Sequence, residues 1–249
     1  MSRFGPPIAV LAAILIAWTL VSLTVPPYQL PGPALVVERL IALVGVGGKF
    51  WGALWLSLGA LAGGALLAFL VGVPLGIASG ANRTLGAAVE PYVNALFVAP
   101  VSALTPLFVY WFGIGLEPRI ATVFVFCAPV IMLTCYRGAR ETPRTMTEVA
   151  RVFGARERDI FRSVVVPHSV PYVATAVRLG LGRAIKGTIL AELVISVTGL
   201  GALIDGFSHV FDTASLIATL IMLLVLGVVI QIIATRVEVA VAPWRASVA

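Results

Sequence analysis

Six long, mostly apolar stretches run near Pro7 to Val25, Ala53 to Ser79, Val93 to Phe112, Ile120 to Tyr136, Ala176 to Val197 and Ala214 to Arg236, without overlap. Each approaches the roughly 20 residues that carry a helix across about 30 Å of hydrocarbon, so the pattern predicts six spans. After the first, Pro26-Pro27-Tyr28-Gln29-Leu30-Pro31-Gly32-Pro33 holds four prolines and predicts an extended connector on the outer side. Val36, Val37, Leu40, Ile41 and Val44 then repeat at helical spacing, with Glu38 and Arg39 off that face. They predict a short amphipathic helix at the outer interface.

Gly59, Gly63, Gly64, Gly72 and Gly76 stud the second stretch and predict close approach of a neighbouring helix. Gly80-Ala81-Asn82-Arg83 reads as the turn that follows. Pro100, Pro106 and Pro129 are expected to interrupt the third and fourth spans. Such breaks survive in a bilayer only where neighbours or a wet cavity satisfy the freed carbonyls, so they point to a path across it.

The one long polar connection, about 137–172, lies between the fourth and fifth spans. Thr145-Met146-Thr147-Glu148 has the form of a capping box and predicts a helix start. Met146, Val149, Ala150 and Phe153 make an apolar stripe that Gly154 ends, and Arg156 to Val165 restarts with Ile160, Phe161 and Val164 on one side. Pro167 and Pro171 are expected to stop this second helix. Two short amphipathic helices joined by a glycine elbow predict a soluble docking partner; a cap packed on the chain's own bundle explains the same stripe.

Composition narrows the class. The chain has 249 residues, 60% hydrophobic and 11% charged, with mean hydropathy +1.06, too apolar for a water-soluble core and consistent with a single helical membrane domain over 1–249. The net charge is +6, but the basic residues fall on alternate connections. Arg3, Arg83, the set from Arg137 to Arg162, Arg236 and Arg245 share one side, against Arg39, Lys49 and Arg119 on the other. By the positive-inside rule the crowded side is cytoplasmic and holds both termini. The aromatic residues within the basic run, Phe153 and Phe161, belong to its apolar stripes and do not form a base-stacking surface, so no nucleic-acid partner is expected. The first apolar run exceeds an h-region of about 7–15 residues and ends in Val25-Pro26-Pro27-Tyr28, so it reads as a span and not a cleaved signal. Cys127 and Cys135 stand about 12 Å apart along one helix, too far for a mutual disulfide, and read as small core residues.

The segment Glu148-Val149-Ala150, three residues, Gly154, nine residues, Val164, one residue, Val166-Pro167 resembles the EAA loop of binding-protein-dependent ABC importer permeases, Glu-Ala-Ala, three residues, Gly, nine residues, Ile, one residue, Leu-Pro. Glu148, Ala150, Gly154 and Pro167 match by identity; Val149 departs from the first alanine, and Val164 and Val166 replace Ile and Leu. Leu30-Pro31-Gly32-Pro33, the run Pro106-Leu107-Phe108-Val109-Tyr110-Trp111-Phe112-Gly113-Ile114-Gly115, and Ala191-Glu192 followed by Gly199-Leu200-Gly201 are similar to the branch that carries nitrate, sulfonates, taurine and pyrimidine precursors. The resemblance implies an all-α integral membrane protein with the type I ABC importer (MetI-like) permease fold, about six transmembrane helices and a coupling helix between spans four and five. It implies a multi-pass protein of the bacterial cytoplasmic (inner) membrane, a second permease copy as homodimer partner, two ABC ATPase subunits, and an extracytoplasmic substrate-binding protein. Coupling would rest on Glu148, Ala150, Arg151, Phe153, Gly154 and Pro167. The implied cargo is a nitrate-, sulfonate- or taurine-like anion, with a pyrimidine-type precursor next.

No Gly-x-x-x-x-Gly-Lys-Ser/Thr is present; Gly182-Arg183-Ala184-Ile185-Lys186-Gly187-Thr188 lacks its order. No cofactor is expected on this chain, and ATP and Mg belong on the ATPase. His168 and His209 have no ligand partners at useful spacing, so no metal site is expected, and they read as ordinary interfacial residues; no catalytic constellation is seen. Glu192 lies deep in the fifth span, with no basic residue three or four positions away on its own helix, and is expected to find a partner on another span. It either lines the path or fixes helix rotation. Arg183 and Lys186, with Arg178, are candidate attractors for an anion or snorkelling residues. The rival to the importer reading is an ion-coupled secondary transporter built on Glu192.

Overall fold

The computed structural model describes residues 5–45, 49–195 and 198–241; Arg3, Arg245 and the end of the fifth expected span at Val197 lie outside them. The described chain is helical: α1 (Gly5–Ser22), α2 (Pro33–Val44), α3 (Lys49–Ala81), α4 (Arg83–Val98), α5 (Val101–Phe112), α6 (Glu117–Arg140), α7 (Arg144–Val152), α8 (Glu157–Ile160), a π-helical turn (Phe161–Val165), α9 (Val166–Ile195), α10 (Leu200–His209) and α11 (Thr213–Val241).

Among the described residues, four helices are long and apolar enough to cross a bilayer: α3, α6, the continuous helix from Glu157 to Ile195, and α11. The bent pair α4–α5 makes a fifth if counted as one span. The 18-residue α1 reaches about 27 Å, the short limit for a crossing. The third span, expected from Val93 to Phe112, is thus interrupted as its prolines predict. Only Pro100 breaks the chain there, as the residue before α5, where the axis turns by 99°. Pro106 and Pro129 sit inside α5 and α6 without ending them, a correction to the expected interruptions.

The helices group into two compact units. One comprises the chain up to Leu56 with Ser196–Leu226. Within it Trp18 Nε1 donates to Pro31 O at 3.0 Å, Trp51 Nε1 to Val44 O at 2.9 Å, and Thr213 Oγ1 to Tyr28 O at 2.6 Å. Side chains thereby satisfy carbonyls that the proline-rich connector and the end of α2 leave free. α2 begins with Pro33 in its first turn, where the missing amide costs nothing. It buries Val36 and Leu43 and exposes Val37 and Ile41, so its inner face is narrower than the expected five-residue stripe.

The second unit, Ser57–Ile195 with Gly227–Ala249, is organised around α6. Val123, Cys127, Ile131 and Cys135 of α6 are fully buried against Ala65, Ala68 and Ile77 of α3 and Ala176 and Ala184 of α9. Lipid is as apolar as these side chains, so association rests on close van der Waals fit rather than escape from water. Glycines permit that fit. A Cβ on Gly64 would lie 2.4 Å from Val123 Cβ, on Gly76 2.6 Å from Met132 O, and on Gly80 2.4 Å from Tyr136 O. Gly80 therefore belongs to the packing face of α3 and not to the expected turn, which starts at Asn82; Asn82 Oδ1 caps α4 through the amides of Thr84 and Leu85. From the other side, a Cβ on Gly180 of α9 would meet Ile131 at 2.9 Å. Gly59, expected in the same packing role, faces nothing within 4 Å.

Gly64→Val should therefore lower stability by about 1–3 kcal/mol or block folding, whereas Gly59→Ala should be neutral. Thermal unfolding of the two detergent-solubilised variants checks this, and equal midpoints would contradict the α3–α6 contact.

Candidate functional site

Two places hold the residues singled out by sequence. The first is the elbow after α6. Pro143 precedes α7, and the helix starts at Arg144, not at a capping box: no side chain caps it, and Thr147 Oγ1 turns back to Arg144 O at 2.8 Å. Proline at this point ends the preceding path and leaves Glu148 free and exposed. The C-terminus follows the expectation closely. Gly154 adopts φ +80°, its N–H bonds Arg151 O at 2.9 Å, and Ala155 N–H bonds Ala150 O at 3.0 Å. These two bonds form a Schellman motif, with Ala150 and Ala155 as its facing pair. A side chain at Gly154 would have open space, so the constraint is backbone conformation alone.

α7 buries none of its residues. Met146 is 53% exposed, Val149 55%, Val152 86% and Phe153 85%. The stripe therefore does not pack on the chain's own bundle, which removes that explanation for it. With Ser163, Val164, Pro167 and His168, the side chains of Thr145, Met146 and Val149 line an open groove of about 570 Å³. Arg151 pairs with Glu157 across the elbow at 2.9 Å; both are exposed, so the pair orients more than it stabilises.

Pro167 and Pro171 do not stop the second helix, which is the main correction to the sequence reading. α8 opens with Asp159 Oδ2 accepting from Arg156 N–H at 3.1 Å, passes through the π turn, and continues as α9 to Ile195. In the π turn Val166 N–H reaches back to Phe161 O. The wider turn accommodates the donor that Pro167 lacks, and Pro167 falls in the first turn of α9. The loop expected over 137–172 is accordingly mostly helix, and the elbow joins a span directly. Tyr172 Oη donates to Glu141 Oε2 at 2.6 Å, fastening the end of α6 to α9. His168, expected at an interface, is half-buried beneath the groove beside Tyr172. His209 closes α10, pairing with Asp205 at 3.4 Å.

The second place surrounds Glu192 of α9, which is fully buried. Ser57 of α3 lies 2.7 and 2.8 Å from its two carboxylate oxygens, and Arg119 Nη1 of α6 3.8 Å from Oε1. The expected partner from another span exists, and it is Arg119, which lies in the first turn of α6 and not in an outer connection. It is 6% exposed, with Nε donating to Gly115 O at 2.9 Å. Ser57 and Arg119 were missed; a lone arginine opening an apolar span, opposite a lone deep acid, was the available signal. Arg178 is also reassigned: it and Thr175 bind the Glu238 carboxylate, so it neither snorkels nor waits for an anion. Lys186 is exposed, and Arg183 points between Phe97 and Phe126. The structure does not bring Glu192, Arg183 and Lys186 into one cluster.

A polytopic helical protein with an exposed amphipathic helix set on the end of a span has the build of a transporter's membrane subunit. Residues 72–242 match the family described as binding-protein-dependent transport system inner membrane component, and the chain belongs to that family. A probable ABC transporter permease of Brucella melitensis is 32% identical over 198 residues, covering 80% of each chain. The taurine transport system permease protein TauC of Escherichia coli is 26% identical over 97% of this chain and 90% of its own. An inward-facing structure of the MetNI methionine ABC transporter superposes with TM-score 0.69 at 22% identity, covering 78% of this chain and 96% of that one, which shows the type I importer fold. The chain is thus an inner-membrane permease component of an ABC importer, a transport component and not an enzyme in its own right, and the ion-coupled reading of Glu192 has no support.

Because the Glu192 carboxylate is wholly buried, removing its partner strands a charge, at a cost of about 3–5 kcal/mol. Arg119→Leu should therefore unfold at markedly lower temperature than wild type, and Arg119→Leu combined with Glu192→Leu should recover part of the loss. A double variant no better than the single one would break the pairing.

Proposed function

We propose that the chain forms, with a second copy of itself, the path by which a small anion delivered by an extracytoplasmic binding protein crosses the inner membrane, and that α7 couples this path to a pair of ABC ATPase subunits. ATP and Mg reside on those subunits, and both termini face the cytoplasm. The observation that carries the coupling reading is the exposure of α7: an amphipathic helix that leaves Met146, Val149, Val152 and Phe153 more than half exposed requires something else to cover them. Burying one side chain the size of phenylalanine is worth about 1.5–3 kcal/mol, enough to hold a docked helix at few contacts.

The elbow supports the same reading in mechanical terms. The Schellman turn at Gly154 fixes α7 against α8, and α8 runs without interruption into α9. A displacement imposed on α7 by nucleotide-driven closure of the ATPase would tilt the span as a rigid body, a shear-type transition. In this scheme Glu148 and Arg151 offer charges to the partner, Val152 and Phe153 fill its cleft, Ala150 keeps the turn tight and Pro167 marks the π turn. Single-domain organisation over the whole chain, the dimer and the orientation come from family resemblance and the distribution of basic residues. An anionic head group on the solute is supported by the taurine relative, whose named solute carries a sulfonate.

Phe153→Ala and Val152→Glu should each reduce copurification of the ATPase about tenfold while leaving the thermal unfolding midpoint of the permease unchanged, since both side chains are exposed. Gly154→Pro should abolish it, because proline cannot adopt positive φ and lacks the amide that bonds Arg151. Retention of the ATPase by all three variants would overturn the docking role of α7.

A further inference from the structure

Arg183 and Lys186 are the cations of α9 whose charges have no acidic counterpart among the described residues, and of the two Lys186 is exposed whereas Arg183 is half-buried. Glu192 is matched by Arg119 and Ser57, and Arg178 by Glu238. Ile195 ends α9, and Arg183 lies about 18 Å before it. That places Arg183 within a hydrocarbon layer of about 30 Å, beyond easy snorkelling. Its guanidinium carbon stands 5.1 Å from the ring centre of Phe97 on α4 and 5.9 Å from that of Phe126 on α6. The rings hold the cation in place but supply no hydrogen-bond acceptor, so its N–H donors keep their capacity for an oxyanion.

Those donors border a cavity of about 50 Å³, lined by Arg183, Phe97, Phe126, Ala99, Val101 and Pro129, among others. Ala99 and Val101 flank the α4–α5 break, where the axis turns by 99°. Irregular backbone at membrane depth is tolerated where it is buried in protein or lines a wet cavity, and here it lines one that contains a single charged residue. A buried water needs about 10–15 Å³ of such space, so the cavity takes roughly three or four waters or one oxyanion head group in their place.

We infer that Arg183, clamped between Phe97 and Phe126, is a transient binding site for the anionic head group, sulfonate or carboxylate, of the transported solute. This rests on the anion-import reading above and names the residue that would read the charge. Guanidinium suits such a role because its planar donors meet two oxygens of a sulfonate at once, and it stays charged in an apolar wall where an ammonium would lose its proton more readily. Aromatic walls leave the anion few competing donors, which favours release over tight capture.

Thermal unfolding of the full-length chain in detergent, titrated at constant ionic strength with sodium methanesulfonate or its uncharged isostere dimethyl sulfone, tests the site. Methanesulfonate should raise the midpoint in a saturable way and dimethyl sulfone should not. Arg183→Gln should weaken the response at least about tenfold, and Arg183→Lys should keep a reduced one. No response of the wild type to methanesulfonate, equal responses to both probes, or an Arg183→Gln response equal to wild type would each overturn the inference. If Arg183→Gln does not fold, Arg183→Lys decides the matter: a response equal to wild type refutes the bidentate site. The titration needs no ATPase, so it can fail while α7 still captures its partner, and the reverse.

Discussion

Close approach to α6 is the constraint on which the second unit depends. α3 brings Gly64, Gly76 and Gly80 to α6 on one face, and α9 brings Gly180 to Ile131 on another. In lipid no hydrophobic force pushes helices together, so a gap of one methyl group would forfeit most of the attraction. Backbone contact at these glycines is what makes α6 an axis rather than one helix among several. Every other feature of the unit is positioned from it: Arg119 near its start, Phe126 midway, and the elbow at its end.

Charges inside this packing are distributed with care. A buried carboxylate in hydrocarbon is tolerable only when paired and hydrogen-bonded, and Glu192 has both Arg119 and Ser57 to meet that demand. Glu238 performs the same service for Arg178 and Thr175. Both arrangements tie α9 to other helices, so rotation of α9 about its axis would separate charges. Arg183 is the exception, held by ring faces instead of an acid. An anion arriving there would not have to break an ion pair first.

The continuous helix from Glu157 to Ile195 joins these features. About 40 Å of helix separates Glu157, just past the elbow, from Arg183. The π turn lies between them, at the one place where Pro167 would otherwise break the hydrogen-bond ladder. A helix interrupted at Pro167 would let α7 move without moving the span; a π turn keeps the two joined while accommodating the ring. An exposed apolar surface and a left-handed glycine thus stand at one end of a helix that carries a cation at membrane depth.

Much of this was legible in the chain itself. Hydropathy and the proline-rich connector marked the spans and their spacing, because a bilayer demands long runs of apolar residues whatever their neighbours are. The family-like segment from Glu148 to Pro167 marked the elbow, because a left-handed residue there requires glycine. Three things were decided by tertiary structure. The capping box and the helix stop at Pro167 were local signals, overridden when a proline before α7 and a π turn satisfied the backbone differently. The roles of Arg119, Ser57 and Arg178 depended on which helices face one another, and charge counting along a sequence does not contain that. Finally, whether the stripe on α7 packs inward or outward is a matter of what lies opposite it; periodicity specifies an apolar face, and only the folded chain shows that this one is left uncovered.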